Sequence, residues 1–193
     1  MVYRPRLRLM VKAMIRQFAD PPSVKGLEGW IVSPGGVATT ALLQHLSRFL
    51  TVNAVSDSDG LKHWPRPPQD WSALGGTRIL FVSGDADVIY RSIRRRGWVE
   101  AQAAKLGCLT GVIARGDRQR RAFIAAVEAQ KANWRAASSE SLRFITYDTL
   151  WDSAEHLAAY FGIDDRRFVS EFPKQRARLS VANSALLPQR YAA

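Results

Sequence analysis

GWIVSPGGVATTALLQHLSRFL, Gly29 to Leu50, is the stretch on which the fold turns. Gly29 to Ser33 is a short apolar run with Trp, Ile and Val, the composition of a strand. Ser33 to Thr40 holds a glycine pair, which marks a sharp turn. Ala41 to Leu50 then shows a helical pattern. The order is strand, Gly-containing turn, helix.

The same order recurs downstream. TRILFVSGD (Thr77 to Asp85) reads as the strongest strand, an apolar run of the kind buried on both faces, and leads directly into a helix at 86–96 ending near Gly97. Residues 98–113 read as partly helical. Arg115 to Ala137 is a long helix on which Phe123, Ile124, Val127, Lys131 and Trp134 trace one stripe. LRFITY (Leu142 to Tyr147) is a further buried strand. Asp148 or Thr149 is the expected cap of the helix WDSAEHLAAYF, Gly162 its stop, and a short helix follows around 164–171. Between the two units, 51–76 is rich in Ser, Asp, Gly and Pro and reads as a long loop with a short strand near Val52–Val55. Loops this long in compact domains are often functional. Strands alternating with helices predict an α/β class, with a central parallel sheet between helical layers.

The chain has 193 residues and a formal net charge of +11. Its apolar fraction of 47% with 10% aromatics excludes a disordered chain. The single cysteine, Cys108, excludes an internal disulfide framework and a Cys-rich zinc site, and reads as a small buried apolar residue. The three histidines lack metal-ligand spacing. No apolar run reaches the length of a membrane span. The charge excess implies an anionic partner.

Three regions are expected: a basic segment 1–22, an α/β domain 23–180 and a tail 181–193. In the first, Arg4, Arg6, Arg8, Lys12 and Arg16 all precede the first acid, Asp20, while Leu7, Met10, Met14 and Phe18, with Val11 and Ile15, repeat at near-helical spacing. Two readings stay open: an amphipathic helix on an anionic membrane, or a helix packed on the domain with a solvated basic face. Lys12 and Arg16 interrupt what would be the apolar core of a secretory signal; an Arg-rich, acid-free start also fits an organellar transit peptide. A cytoplasmic chain, peripheral at a membrane if the first reading holds, is the expectation.

Glycines followed by a helix N-terminus expose successive N–H groups to an anion, and Thr39 and Thr40 add hydroxyls. The loop is neither a Walker A sequence nor the dinucleotide GxGxxG. With its helix it resembles the 5′-phosphosulfate loop of P-loop sulfotransferases, whose usual form is Pro-Lys-Ser-Gly-Thr-Thr with variants opening Gly-Gly-Val. Lys62-His63-Trp64-Pro65 resembles the family's Lys-x-His-x-Pro stretch, one residue shorter. Ile79 to Trp98 resembles the strand, turn and helix that bind the donor's 3′-phosphate, with Ser92 at the family's phosphate-binding Ser. The helix with Gln130 and Trp134, and FITYDTLWDSAEHLAAYFGI after it, resemble the family's later elements. The likeness spans roughly 29–180, and the order of its loose motifs is its strongest feature.

The resemblance implies a three-layer α/β/α fold with a P-loop-like strand, loop and helix. It implies sulfuryl transfer from 3′-phosphoadenosine 5′-phosphosulfate to a hydroxyl acceptor, with a glycan or glycolipid in view, and no metal. Gly35, Gly36, Val37, Ala38, Thr39 and Thr40 would hold the 5′-phosphosulfate. Ser92, with Arg91 or the late basic run Lys174, Arg176 and Arg178, would hold the 3′-phosphate. His63 would be the base; Asp57 or Asp59 in the same loop is an alternative. Two departures stand out: Gly36 replaces the loop's Lys, and Gly84 replaces the 3′-phosphate Arg. The competing expectation is therefore a non-catalytic anion- or nucleotide-binding or interaction domain on this fold. Nucleic-acid binding is disfavoured because no known motif is present and aromatics do not interleave with the basic residues. A nucleotide kinase or hydrolase is disfavoured because the P-loop Lys is lacking; Asp85 and Asp87 are the candidate Mg²⁺ ligands for that reading.

Overall fold

A computed structural model describes residues 3–137 and 139–175. Helix α1 (Tyr3–Phe18) precedes β1 (Gly29–Val32) and α2 (Thr39–Leu46); then come β2 (Arg78–Ser83), α3 (Ala86–Arg95), α4 (Val99–Lys105), α5 (Leu109–Ile113), α6 (Gly116–Ala136), β3 (Leu142–Thr146), α7 (Tyr147–Leu150), α8 (Ala154–Phe161) and α9 (Arg167–Ser170). The chain is α/β: three parallel strands in the order β1-β2-β3, with helices around them. Parallel strands need long crossovers, and α2 with the 51–76 loop, then α3 to α6, provide them.

Side chains alternate across the sheet, so β1 and β2 feed two apolar clusters. Ile31, Leu80 and Val82 pack with Leu42, Leu46, Ile89 and Leu157. Trp30, Val32, Ile79 and Phe81 pack with Leu61, Trp64 and Trp134. Trp134 from α6 anchors this second cluster, stacked edge-on to Trp30 at 5.3 Å and donating its indole N–H to the Trp64 carbonyl at 3.1 Å.

Three details differ from the sequence expectations. The short strand near Val52–Val55 is a single parallel bridge, Gly29 with Val52. β3 is not buried on both faces: Leu142 is buried but Arg143 and Phe144, on opposite faces, are exposed, and among the described residues β3 is an edge strand. The segment after β3 is two helices: the expected helix is α8, which starts later with Ser153 at its N-cap, and the short α7 before it is capped by Thr146 in a reciprocal capping box with Thr149. Within α6 the buried residues are Phe123, Val127, Gln130 and Trp134; Ile124 and Lys131 are half-buried at the stripe's edge.

Gly29 stands where Val52 and Phe161 close on β1. A Cβ there would lie 3.2 Å from Val52 Cγ1 and 3.1 Å from Phe161 Cε1. Gly29→Val is expected to cost about 2 kcal/mol by overpacking. Urea unfolding measures it, and adding Val52→Ala should return part of the loss.

Candidate anion site at the two loops

The first loop is built by its own polar atoms. Gly35 (φ +92°), Gly36 (φ +69°) and Ala38 (φ +59°) all sit in the left-handed region, which two glycines reach without strain and which makes this turn tight. The Ser33 and Thr39 hydroxyls bond across it at 2.6 Å, and the Gly35 N–H donates to Ser33 Oγ at 3.2 Å. Gln102 from α4 donates to the Pro34 carbonyl at 2.8 Å. Gly36, Ala38 and Thr40 are the residues of this turn that reach the surface. They lie where α2 starts and its first N–H groups lack helical partners.

The fold brings the second loop against the first. A Cβ on Gly36 would stand 3.6 Å from Ser92 Oγ, and one on Gly84 would stand 3.0 Å from Val37 Cγ1. Ser92, 56 positions from Gly36 along the chain, therefore faces the glycine turn.

Two lysines reach the loops from elsewhere in the chain. Lys62 Nζ donates to Thr40 Oγ1 at 2.9 Å and to the Val55 carbonyl at 2.8 Å, with the residue 6% exposed. An ammonium has three donors, so one N–H is left over at the start of α2. Burial pushes the Lys62 pKa down, with Lys105 adding to it, against the pull of Asp57 and Asp59. Lys131 Nζ, on α6, lies 3.4 Å from the Gly84 carbonyl and pairs with Glu128 at 2.9 Å. Lys62 was legible only as part of the stretch before His63, and Lys131 only as a member of the α6 stripe. Neither has a sequence signal that ties it to the loops.

The other candidates stand elsewhere. His63 is buried. Its Nδ1 donates to the Ser33 carbonyl at 2.8 Å, which leaves Nε2 as the acceptor of a neutral ring. Burial pushes its pKa down to about 3; Asp57 and the Ser33 carbonyl oppose this, and Lys105 and Lys62 assist it. This geometry makes His63 a brace under the loop. Asp57 and Asp59 likewise hold their own loop. Asp57 pairs with Lys105 at 2.6 Å and accepts from the Lys62 N–H, and Asp59 accepts from the N–H groups of Ala54 and Leu61. Asp85 caps α3 by accepting from Val88 N–H at 2.8 Å.

Arg91 turns away from Ser92, pairing with Asp87 at 3.3 Å on the solvent side, where Arg120 also meets Asp87. Lys174 is exposed and follows Phe172, which packs on His45 in the last turn of α2, at the end of that helix away from the loop. Arg176 and Arg178 lie outside the described residues. His45 bonds the Phe168 carbonyl at 2.8 Å inside an aromatic cluster. Cys108 is half-buried and accepts from the Gly111 N–H. A groove of about 690 Å³ between α6, the α4–α5 turn and the end of α1 contains no residue of either loop. Among the described residues no cluster of His, Cys, Asp and Glu could hold a metal ion.

Comparison of the chain with family models, with curated proteins and with solved structures yields no match.

Proposed function

We propose that the chain is a sulfotransferase-like protein that binds a nucleotide phosphosulfate at the turn 35–40, on a fold of the three-layer, P-loop-like kind. The reading rests on the convergence of Thr40, Lys62, Gly36 and Ser92 at the two strand ends. The backbone N–H groups of 36–40 and the α2 dipole take the 5′-phosphosulfate, with Lys62 as the cation. Ser92 takes the 3′-phosphate, with Lys131 as the cation beside Gly84. Thr39 is committed to Ser33 and shapes the turn, whereas Thr40 is the exposed hydroxyl.

In transfer, the bond from sulfur to the donor's phosphate oxygen breaks as the acceptor oxygen bonds to sulfur, and the acceptor's proton leaves to a base. In this proposal Lys62 neutralises charge on the bridging oxygen, a contribution of several kcal/mol in comparable sites, on the order of 10²-fold or more. His63 is a poor base in this position: at a pKa of about 3 it takes a proton weakly at neutral pH. That favours a second reading, donor binding without turnover.

Calorimetry with adenosine 3′,5′-bisphosphate tests the binding half. We expect an affinity near the micromolar range, and a Thr39→Ala, Thr40→Ala double change should weaken it about tenfold or more. No heat at about millimolar ligand overturns the proposal. Transfer of labelled sulfate to glycan, lipid or phenol acceptors then separates the two readings. Turnover that survives His63→Asn supports an enzyme whose base is not His63.

A further inference from the structure

We propose that α1 is a membrane-docking face whose occupant is a bilayer containing anionic lipid. Leu7, Val11, Met14, Ile15 and Phe18 fall on one side of this helix by their spacing, and all five point to solvent, from 46% exposed at Val11 to 75% at Phe18. The opposite side does the packing. Ala13 and Arg16 are buried, Leu9 and Met10 half-buried, Arg16 stacks on Trp64 at 4.3 Å, and α4 and α5 lie alongside. The apolar residues that a surface helix normally turns inward are here turned outward. The solvent face is therefore not the basic one that a helix packed on the domain was expected to show.

The outward apolar surface is concentrated. Among the described residues eight large hydrophobics are exposed, and seven of them belong to this layer: the five on α1, Trp98 at the start of α4, and Ile113 in α5. A cluster of this kind marks an interaction surface.

Charge selects the occupant. Helix α1 contains no acid. Arg8 is exposed and Lys12 half-exposed, on the flank of the stripe. Arg94, Arg95 and Arg96 are exposed just before Trp98, and the Arg96 guanidinium lies 5.5 Å from the Trp98 ring centroid. Apolar side chains bordered by Arg and Lys, with a Trp nearby, match the interface of an anionic bilayer. A second copy of the chain fits worse, because two such helices face to face would bring Arg8 and Lys12 together with no acid on α1 to answer them. Among the described residues no helix is long and apolar enough to cross a membrane. A flat placement along the 16 residues, about 24 Å, is the geometry left for α1.

The test is sedimentation of the full chain with vesicles of phosphatidylcholine alone and of phosphatidylcholine mixed with phosphatidylglycerol. The mixed vesicles should bind it and the neutral ones bind it at least about tenfold more weakly. Ile15→Ser with Phe18→Ser should lower binding about tenfold, and Arg8→Gln with Lys12→Gln should remove the preference for the anionic lipid. All four side chains are outside the core, so the thermal unfolding transition should persist in both variants. Equal binding to both vesicles, or no loss with the Ser variant, overturns the proposal. So does a lipid-free dimer of the wild-type chain that the Ser variant dissociates, which would assign the face to a second copy.

Discussion

Lys62→Met is expected to weaken the binding of adenosine 3′,5′-bisphosphate about a hundredfold while leaving the fold in place. Hydrogen bonds from a charged donor are worth about 1.5–3 kcal/mol each, and the loss of one at a phosphate, with its charge, reaches roughly 3 kcal/mol. The fold should tolerate the change because methionine is close to lysine in volume and fills the same space. The Val55 carbonyl loses a donor, so a small drop in stability accompanies the effect. Calorimetry and a thermal melt on the same samples separate the two. If binding is unchanged in Lys62→Met, the cation of the site is not Lys62 and the proposed donor geometry fails. A matching change at Lys131, whose contact with the Gly84 carbonyl is longer at 3.4 Å, should cost less.

The second large effect is a pH dependence of stability carried by His63. Above about pH 6.5 the ring is neutral in both the folded and unfolded chains and adds no slope. Below that the unfolded chain takes up a proton, whereas the folded one, with its pKa pushed down to about 3, does not. Stability is therefore lost as pH falls from about 6.5, and the loss levels off near 3. Between pH 7 and pH 4 this one group should remove about 3 kcal/mol. His63→Asn keeps a donor near the Ser33 carbonyl and cannot titrate, so urea midpoints for the variant should fall much less over the same interval. The partly buried pair of Asp57 and Lys105 is present in both proteins, which leaves the difference to His63. Parallel curves for the two would mean that His63 is solvated and accessible, and would return it to the list of candidate bases.

Much of the architecture was legible in the residues. β1, α2, β2 and the long α6 come from local signals: apolar runs bounded by glycine, and a stripe at helical spacing. β3 was misjudged because an apolar composition reports the wish to be buried, not whether a neighbour exists. Phe144 is apolar and still 42% exposed, on what is an edge strand among the described residues. The cap expected at Asp148 or Thr149 stands instead at Ser153, because Tyr147–Leu150 forms a separate short helix with its own Thr146 cap, and only backbone geometry divides the segment in two.

The site was half legible. Its turn is local, so Gly35 to Thr40 stood out from the pattern alone. Its cations are not local. Gly36 and Gly84 look like losses along the chain, yet Lys62 lies 22 positions after Thr40 and Lys131 lies 47 positions after Gly84, at bonding distance from each loop. The sign of α1 was equally hidden. Its spacing announces an apolar stripe, and nothing in a periodic pattern says which side the domain will take.

By itself, then, the sequence determined the α/β alternation, the net positive charge and the glycine turn at the end of β1, because each is read from composition or from neighbours within a few residues. The tertiary structure alone decided that Ser92 faces Gly36, that Lys62 and Lys131 touch the two loops, that His63 is buried beneath Ser33, and that α1 shows its apolar side to solvent. Those depend on contacts between segments far apart in the chain, which folding closes and no local pattern encodes.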